Sequence, residues 1–407
     1  MTEVEIACTA CACLCDDTRV EIEAGEVVRI ENACIKGAAL IRAVADPKRR
    51  CPSMIRGRKV SFERAFEEAD HLLRGAKNPL IFGLDTSTLE AQGLGVELAR
   101  ALGATIDDTS SFCQGGLVEH ILKGDLPSCS LTDVRDSSDL MIYWGSNAHH
   151  SHPRHLSHYT YYPRDQYSEA GWIPQVTMIS VEVRDTETTS LCFPRFIIRP
   201  GHDKDLIGRL VETLRGREDT EKEFAEHLRR ARFCVIFAGL GLTYGLDNDF
   251  SPLIELASEI GRSARVAVIP MVGHFNMRGF NHSLYKATGY VNRVGFSNGV
   301  NHGESFSFLG QARDRAPDCL MIVGSDPFSS LPQVVMKNLL DLPIVCLDPF
   351  PTATTKAATV VLGTAASGIE VGGHAIRMDG EKVELGSLFD TIRPSDEVIL
   401  KRLLEGV

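Results

Sequence analysis

Cys8-Thr-Ala-Cys11-Ala-Cys13-Leu-Cys15 stands near the start of the chain, and a fifth cysteine, Cys34, follows a segment with the pattern of a β-hairpin. Residues 18–23 alternate between polar and apolar side chains, Ala24-Gly25 supplies a turn, and residues 26–30 return as a second strand. If Ala24 and Gly25 form a two-residue loop, Cys15 lies opposite Cys34. The hairpin then carries the last cysteine back to the others.

Four of these cysteines, Cys8, Cys11, Cys15 and Cys34, have the spacing C-x2-C-x3-C-x18-C. Converging thiolates with this spacing favour a [4Fe–4S] cluster and a role in electron transfer. A structural zinc ion is the alternative, although zinc sites usually pair two C-x2-C knuckles and the Cys11 to Cys15 spacing differs from that. In an extended segment Cys13 would point away from its neighbours, so it is expected to be a small buried side chain.

Length and composition limit the possible classes of protein. A chain of 407 residues is expected to form two or three domains. A formal charge of −11 argues against a nucleic-acid partner. The absence of an apolar run of about 18 residues and of a charged-then-apolar start predicts neither a membrane span nor secretion. Cys234, Cys319 and Cys346 stand inside apolar runs and are expected to be reduced core residues, as in cytoplasmic proteins.

Apolar strand patterns alternate with helical patterns after the cysteine segment. Strands are expected at residues 140–144, 176–181, 234–238, 266–269, 320–323 and 344–347. Near-continuous apolar strands separated by helices predict an α/β protein whose parallel sheets are covered on both faces.

Glycines and polar residues follow most of these strands. In open parallel sheets, ligands bind at the carboxyl ends of the strands. Glycines allow a phosphate to approach the backbone. The side chains of Ser, Asn and Asp can bind ribose or base, and Arg184 can bind a phosphate or a carbonyl group. The series predicts a nucleotide-type cofactor, although each strand end alone is also typical of a simple turn. The residues concerned are Gly145, Ser146, Asn147, Arg184, Gly241, Gly324, Ser325, Asp326 and Asp348.

Cys113 lies between a predicted strand at residues 105–106 and a helix pattern that starts near Leu117. The dipole of a helix lowers the pKa of a thiol at such a position and favours the thiolate. Cys113 is therefore a candidate nucleophile or ligand of a soft metal, and a buried loop cysteine is the alternative.

Together these features resemble the molybdenum- and tungsten-pterin oxidoreductase superfamily, and within it the B subunit of formylmethanofuran dehydrogenase. The superfamily begins with C-x2-C-x3-C and a fourth cysteine followed by x-Lys-Gly, which is Cys34-Ile-Lys36-Gly37 here. Cys15-Asp16-Asp17 is the B subunit's own form of the third cysteine. Further characteristic stretches span nearly the whole chain: Trp144-Gly-Ser-Asn147, Ser151-His-Pro-Arg-His155, Gly279-Phe-Asn281, Thr288-Gly-Tyr290, Gly368-Ile-Glu-Val371 and Arg377-Met-Asp-Gly380.

The resemblance implies that the four spaced cysteines bind a [4Fe–4S] cluster, which passes electrons to a bis(pyranopterin guanine dinucleotide) cofactor. Lys36 would lie between cluster and pterin, and Cys113 would be the ligand of molybdenum or tungsten. The residues at the strand ends would hold the pterin and guanine groups. The implied reaction is the two-electron reduction of CO2 to formate, which a partner protein would condense with methanofuran.

The resemblance also implies a [4Fe–4S]-binding β-hairpin domain at residues 1–51 and two α/β pterin-binding domains, formed by residues 52–129 plus 281–407 and by residues 130–280. These would be domains I–III of a formate dehydrogenase-like fold that lacks its C-terminal β-barrel. The expected partners are the amidohydrolase (A), the C and the β-barrel pterin-binding (D) subunits of the dehydrogenase, together with ferredoxin-like electron-transfer subunits. The chain alone is expected to be inactive, within a cytoplasmic complex of methanogenesis and one-carbon metabolism.

Two positions depart from the superfamily. Gln114 follows the ligand cysteine where formate dehydrogenases have a histidine, and a glutamine cannot act as a general acid or base near neutral pH. Arg293 lies near the place of the superfamily's active-site arginine, but Asn298 is an alternative counterpart. A neighbouring histidine, such as His120 or His152, could handle the proton instead.

These departures leave a second hypothesis, a redox-inactive structural B subunit of a bacterial formyltransferase/hydrolase complex. A chain freed from cluster binding has no reason to keep four thiols in ligand spacing and a further one at Cys113, which favours the redox subunit. A third hypothesis is a zinc-stabilised nucleotide-binding module.

Overall fold

The computed structural model describes residues 2–161 and 176–406. Its strands are β1 (Thr2–Ile6), β2 (Thr18–Glu23), β3 (Glu26–Glu31), β4 (Met54–Ile55), β5 (Arg58–Lys59), β6 (Pro79–Gly83), β7 (Thr105–Asp107), β8 (Leu140–Trp144), β9 (Thr177–Glu182), β10 (Arg195–Ile197), β11 (Phe233–Ala238), β12 (Arg265–Pro270), β13 (Val294–Gly295), β14 (Asn301–His302), β15 (Cys319–Val323), β16 (Ile344–Asp348), β17 (Val360–Gly363), β18 (Gly373–Ile376) and β19 (Lys382–Leu385).

The helices of the described residues are α1 (Ile35–Ala45), α2 (Phe62–Gly75), α3 (Leu89–Ala101), α4 (Gly115–Lys123), α5 (Leu131–Ser137), α6 (Ala148–Ser151), α7 (Pro153–His155), α8 (Asp203–Leu214), α9 (Lys222–Arg230), α10 (Leu240–Gly245), α11 (Ser251–Ile260), α12 (Met277–Thr288), α13 (Phe308–Asp314), α14 (Gln333–Met336), α15 (Ala353–Ala357) and α16 (Asp396–Glu405). None of these helices has the length and apolar character needed to cross a lipid bilayer.

The chain forms two compact units. The first comprises Met1–Phe112, His274–Arg377 and Lys382–Val407, and the second comprises Cys113–Gly273 and Met378–Glu381. The N-terminal cysteine segment belongs to the first unit. The division into three domains stays a prediction.

The first unit contains a nine-stranded sheet with the order β14-β13-β7-β6-β15-β16-β17-β4-β5. The five central strands of this sheet, β7, β6, β15, β16 and β17, pair in parallel. Antiparallel strands lie at both edges. β6, β15 and β16 are buried along their whole length, and α2, α3 and α16 contribute side chains to the core that covers the sheet. The strands predicted at residues 320–323 and 344–347 are confirmed.

The second unit contains a five-stranded parallel sheet with the order β10-β9-β8-β11-β12. The central strands β8 and β11 are fully buried, and α8, α9 and α11 pack against them. The four strands predicted in this part of the chain are confirmed to within one residue at their ends. The α/β class with parallel sheets, predicted from the apolar runs, is therefore confirmed in both units.

The predicted hairpin is formed by β2 and β3, with Ala24 (φ 51°) and Gly25 (φ 84°) in the left-handed conformation of a tight turn. A β-bulge after Glu21 shifts the register by one residue on the side away from the turn. The predicted register therefore holds only next to the turn, and the paired strands end before they reach Cys15 and Cys34. β1 adds a third antiparallel strand that was not predicted.

None of the twelve cysteines, all of which lie in the described residues, forms a disulfide bond. Cys234, Cys319 and Cys346 are buried in the sheets, as predicted. Burial raises the pKa of Cys319 to about 12. Such a thiol stays protonated at neutral pH and packs as a small apolar side chain.

A buried ion pair joins the end of α1 to the central sheet of the first unit. Arg50 lies 2.6 Å from Glu370, and the two side chains are 3% and 9% exposed. Arg50 also donates to the carbonyl groups of Val44 at 3.4 Å and Pro349 at 3.2 Å, and Glu370 accepts from the N–H of Ala366 at 2.7 Å. This pair therefore joins the end of α1 to the segments that follow β16 and β17.

Glu370→Gln should destabilise the first unit, because it leaves the guanidinium of Arg50 buried without a counter-charge. Removing one partner of a buried pair costs about 3–5 kcal/mol, and the lower value applies here since the amide still accepts a hydrogen bond. The matched control is Glu63→Gln, which breaks an exposed pair with Arg402 and should leave the unfolding temperature unchanged. Thermal unfolding measures both variants, and equal shifts would contradict the role given to Arg50.

Candidate metal centre and cofactor sites

Cys8, Cys11, Cys13 and Cys15 lie in a turn-rich loop between β1 and β2, and all four are buried. The backbone N–H of Cys8 donates to the carbonyl of Cys15 at 2.8 Å, and the N–H of Leu14 donates to the carbonyl of Cys11 at 3.2 Å. The loop therefore closes on itself and brings its first and last cysteines side by side.

Cys34 stands directly before α1, the helix that packs on this loop. It is half-buried and caps the start of that helix. Gly37 packs so closely that a Cβ atom at this position would lie 2.7 Å from the Sγ atom of Cys8. The first turn of α1, which includes the exposed Lys36, therefore lies directly against the cysteine loop.

Cys13 contacts Cys11, so the prediction that it points away from Cys11 is wrong. The loop turns here instead of being extended, and a hydrogen bond from the Cys13 thiol, with the charge of Lys36, lowers the pKa of Cys11 to about 7 despite its burial. The same bond and burial raise the pKa of Cys13 well above its usual range. The lowered pKa of Cys11 favours its thiolate form, whereas Cys13 is confirmed as a buried thiol.

A cavity of about 260 Å³ lies at the carboxyl ends of β6, β15 and β16 in the first unit. Its lining includes all four residues that were predicted to bind a cofactor in this part of the chain: Gly324, Ser325, Asp326 and Asp348. We call it the acidic cavity, because three of its lining residues, Asp326, Asp348 and Asp396, are carboxylic acids.

The three acids of this cavity differ in their surroundings. Asp326 accepts hydrogen bonds from the N–H of Thr354 at 2.8 Å and from its hydroxyl at 2.6 Å. Asp348 accepts from the N–H of Phe350 at 2.8 Å, but burial and the charges of the other two acids raise its pKa to about 7. Burial raises the pKa of Asp396 to about 6. Near neutral pH the acidic cavity therefore offers both hydrogen-bond acceptors and a carboxyl proton.

A cleft of about 470 Å³ lies at the ends of β8 and β9 in the second unit. Two predicted cofactor residues, Asn147 and Arg184, line it together. The amide of Asn147 donates to Glu187 at 2.7 Å and accepts from the hydroxyl of Thr188 at 3.0 Å. Arg184 is exposed, so its guanidinium can bind an anion there. We call this the Arg184 cleft.

Gly145 and Gly241 bring two backbone segments of the second unit together. The N–H of Gly241 donates to the carbonyl of Gly145 at 3.0 Å, and a Cβ atom at Gly145 (φ 58°) would collide with the backbone nitrogen of Leu242. Ser146 is buried beside them. Packing of β8 against α10 therefore explains both glycines, and their contact with a cofactor stays a prediction.

Cys113 is half-buried and lies two residues before the start of α4. Gln114 caps this helix and is fully buried: its amide donates to the carbonyl of Ala238 at 3.2 Å and accepts from the hydroxyl of Thr243 at 2.9 Å. Gln114 thus fixes the start of α4 to the end of β11. This position keeps Cys113 at the helix start, where the dipole favours a thiolate.

Arg293 is bound within the first unit. It donates to the carbonyl of Ser111 at 3.0 Å and pairs with Glu304 at 3.1 Å. Asn298, its alternative counterpart, is exposed in a loop. Arg293 therefore holds the segment that precedes Cys113 in the sequence.

A cluster of acids at the ends of β6 and β7 was not predicted. Asp85, Asp107 and Asp108 are fully buried, and His274 contacts Asp85. A signal was present in the sequence, because Asp85 follows an apolar strand in the same way as the predicted strand ends do. The partner His274 could not be found from the sequence, since only the fold brings it to Asp85.

Solved structures with a similar fold include the formyltransferase/hydrolase complex (FhcABCD) from Methylorubrum extorquens in complex with methylofuran, with a TM-score of 0.69 and 19% identity over 87% of this chain and 98% of that chain. Acetylene hydratase from Pelobacter acetylenicus gives a TM-score of 0.64 and 13% identity over 98% of this chain and 69% of that chain.

No family model matches the sequence. Two B subunits of tungsten-containing formylmethanofuran dehydrogenase 2 match 99% of this chain and 98% of their own length: that of Methanocaldococcus jannaschii at 32% identity and that of Methanococcus maripaludis at 31%. The chain is thus an oxidoreductase subunit of the α/β class. It belongs to the family of formylmethanofuran dehydrogenase B subunits.

Asp348→Asn should flatten the dependence of stability on pH. The pKa of Asp348 is about 7 in the folded protein and about 4 in an unfolded chain, so folding favours the protonated form. The stability of the wild type should therefore decrease as the pH rises between these two values. In thermal unfolding the variant should be more stable than the wild type at about pH 8 and similar to it at about pH 4.

The control for this prediction is Asp341→Asn, which changes an exposed aspartate just before the same strand. It should melt with the pH dependence of the wild type. A wild-type stability that increases between pH 4 and pH 7, while Asp348→Asn follows the same curve, would contradict the raised pKa of Asp348.

Proposed function

We propose that this chain is the catalytic redox subunit of a formylmethanofuran dehydrogenase, which reduces CO2 reversibly to formate. The reaction takes place at a tungsten or molybdenum bis(pyranopterin guanine dinucleotide) centre that receives electrons from a [4Fe–4S] cluster. The complete set of thiols carries this proposal: three buried cysteines in one loop, a fourth at the start of the helix that packs on this loop, and Cys113 at the start of α4.

The cysteine loop fits a [4Fe–4S] cluster. Its three ligand thiols are buried, and the missing side chain of Gly37 leaves room beside the sulfur of Cys8. The first turn of α1 and the ammonium group of Lys36 favour the negative charge of a thiolate-bound cluster, and more so after its reduction. The spacing of Cys11 and Cys15 differs from that of zinc knuckles, which favours the cluster over zinc.

The acidic cavity and the Arg184 cleft fit the guanine and phosphate groups of the cofactor. Carboxylate oxygens and a carboxyl proton can bind the N–H and carbonyl groups of guanine, and the guanidinium of Arg184 can bind a phosphate. Each unit offers one site at the carboxyl ends of its parallel strands, where nucleotide cofactors bind in open parallel sheets. When bound, the metal of this cofactor supplies the two-electron redox chemistry.

In this proposal, the thiolate of Cys113 is the protein ligand of tungsten or molybdenum. Tungsten is the metal in the names of both relatives. Gln114 keeps Cys113 at the start of α4 and takes no part in proton transfer, because its amide is bound inside the second unit. Arg293 has a positioning role through Ser111.

The enzyme would work in a complex with an amidohydrolase (A), which condenses formate with methanofuran, and with the C, pterin-binding (D) and ferredoxin-like electron-transfer subunits. A redox-inactive structural B subunit is the second candidate, and the fold of the formyltransferase/hydrolase complex supports it. Sequence identity favours the redox subunit. This chain is 32% identical to a named dehydrogenase subunit and 19% identical to the chain of that complex.

Two pairs of variants of the anaerobically purified complex test this proposal. Cys8→Ala should lose the EPR signal of the reduced cluster, whereas Cys13→Ala should keep about four irons per chain because Cys13 is not a ligand. Cys113→Ala should abolish CO2 reduction and alter the EPR signal of tungsten or molybdenum while the cluster signal persists.

The control for the second pair is Cys129→Ala, which changes a buried cysteine of the second unit and should leave metal content and activity unchanged. Full activity of Cys113→Ala would exclude this thiol as the metal ligand. Zinc in place of iron in the wild type would support the zinc-stabilised module instead.

A further inference from the structure

His274 forms a hydrogen-bonded pair with a buried carboxyl group in the first unit. Its Nδ1 atom lies 3.0 Å from Oδ2 of Asp85 and 3.0 Å from the hydroxyl of Thr109, and Thr109 also donates to Asp85. Asp85 is fully buried, whereas 46% of the His274 side chain is exposed. One end of this pair is therefore in the protein interior, and the other end can exchange protons with solvent.

Two further acids extend the pair into the interior. Asp107 accepts from the N–H groups of Phe308 at 2.7 Å and Arg293 at 3.1 Å. Asp108 accepts from the hydroxyl of Ser110 at 2.5 Å. One oxygen of Asp108 has no hydrogen-bond partner among residues 2–161 and 176–406. A proton can bind at this oxygen.

The charges of this cluster support an ionised Asp85 next to His274. Burial alone would raise the pKa of Asp85, but the charge of His274 and the hydrogen bonds from His274 and Thr109 lower it overall. Asp85 in turn raises the pKa of His274. Burial, with the charges of Asp85 and Asp107, raises the pKa of Asp108 well above its usual range. These directions favour the imidazolium form of His274, the carboxylate form of Asp85 and the protonated form of Asp108.

The residues of the pair stand next to candidate site residues in the sequence. The residues that follow Asp85 and His274 in the chain, Thr86 and Phe275, line the acidic cavity. Thr109 starts a short 3-10 helix that ends one residue before the proposed metal ligand in the sequence. Both partners of His274 therefore belong to segments that lead directly to candidate site residues.

We propose that His274, oriented by Asp85 and Thr109, carries the proton of the redox reaction. The inference rests on the proposed function: CO2, two electrons and one proton give formate, the electrons come from the cluster, and the proton enters the new C–H bond. The imidazolium of His274 gives up its proton from Nε2 while Nδ1–H stays bound to Asp85. Formate oxidation returns a proton to Nε2, and the exposed ring exchanges it with solvent.

The two histidines considered from the sequence have other environments. Both ring nitrogens of the buried His152 are engaged, with the hydroxyl of Ser151 at 2.8 Å and the carbonyl of Val272 at 2.8 Å. His120 pairs with Asp125 at 2.8 Å in the last turn of α4 and lines neither the acidic cavity nor the Arg184 cleft. The buried acids Asp85, Asp107 and Asp108 are not among these partners.

Asp85→Asn, His274→Gln and a matched control, His202→Gln, test the inference in the purified complex. His202 pairs with Asp205 at 2.9 Å through the same ring atom and is similarly exposed, but it lies in the second unit. With histidine labelled by 13C at Cε1, the NMR signal of His274 is the one that disappears in His274→Gln. In the wild type this signal should titrate with a midpoint above about pH 6.5. It should titrate at lower pH in Asp85→Asn, because no carboxylate stabilises the imidazolium.

The rate of CO2 reduction should fall about 100-fold in His274→Gln with unchanged contents of iron and of tungsten or molybdenum. The rate of CO2 reduction should decline as the pH rises, and in Asp85→Asn this decline should begin at a lower pH than in the wild type. His202→Gln should keep the pH–rate profile of the wild type. A wild-type rate in His274→Gln, an unshifted His274 signal in Asp85→Asn, or loss of metal from His274→Gln would overturn the proton role and leave the proposed function standing. A wild-type complex without cluster and metal would overturn both.

Discussion

Parallel pairing of buried strands is the constraint on which both candidate cofactor sites depend. β15 pairs with β6 on one side and β16 on the other, so residues from three distant parts of the sequence line the acidic cavity. In the second unit the pairing of β8 with β9 brings Asn147 and Arg184 to one cleft. Apolar side chains on both faces fix this register, so the cores determine where the polar groups meet.

The sequence predicted the strands and the residues at their ends, because a strand buried on both faces leaves an unbroken apolar run and its end is marked by glycine or a polar residue. Other features depend on contacts that a local pattern does not contain. The bulge after Glu21 depends on the opposite strand, and the orientation of Cys13 depends on the closed loop. The partners of Arg50 and His274 are far away in the sequence, so only the fold identifies them.

In the proposed function, buried ionisable groups favour a redox subunit over a structural one. Asp348, Asp108 and the Arg50–Glu370 pair are costly in free energy, and a chain that served only to hold its partners could replace such groups with apolar side chains at a gain in stability. Their positions, at the strand ends and behind the cysteine segment, suit the binding of a charged cofactor. The complete thiol set and the closer identity to named dehydrogenase subunits support the same conclusion.

Elemental analysis with EPR spectroscopy of the wild-type complex, purified and reduced without oxygen, would show whether this chain holds a cluster and a metal centre. We expect about four irons for each copy of this chain, the spectrum of a reduced [4Fe–4S] cluster, and one tungsten or molybdenum with extractable guanine-containing pterin. Iron without tungsten or molybdenum would contradict the role of Cys113, and undamaged protein that contains neither would make this chain a structural subunit.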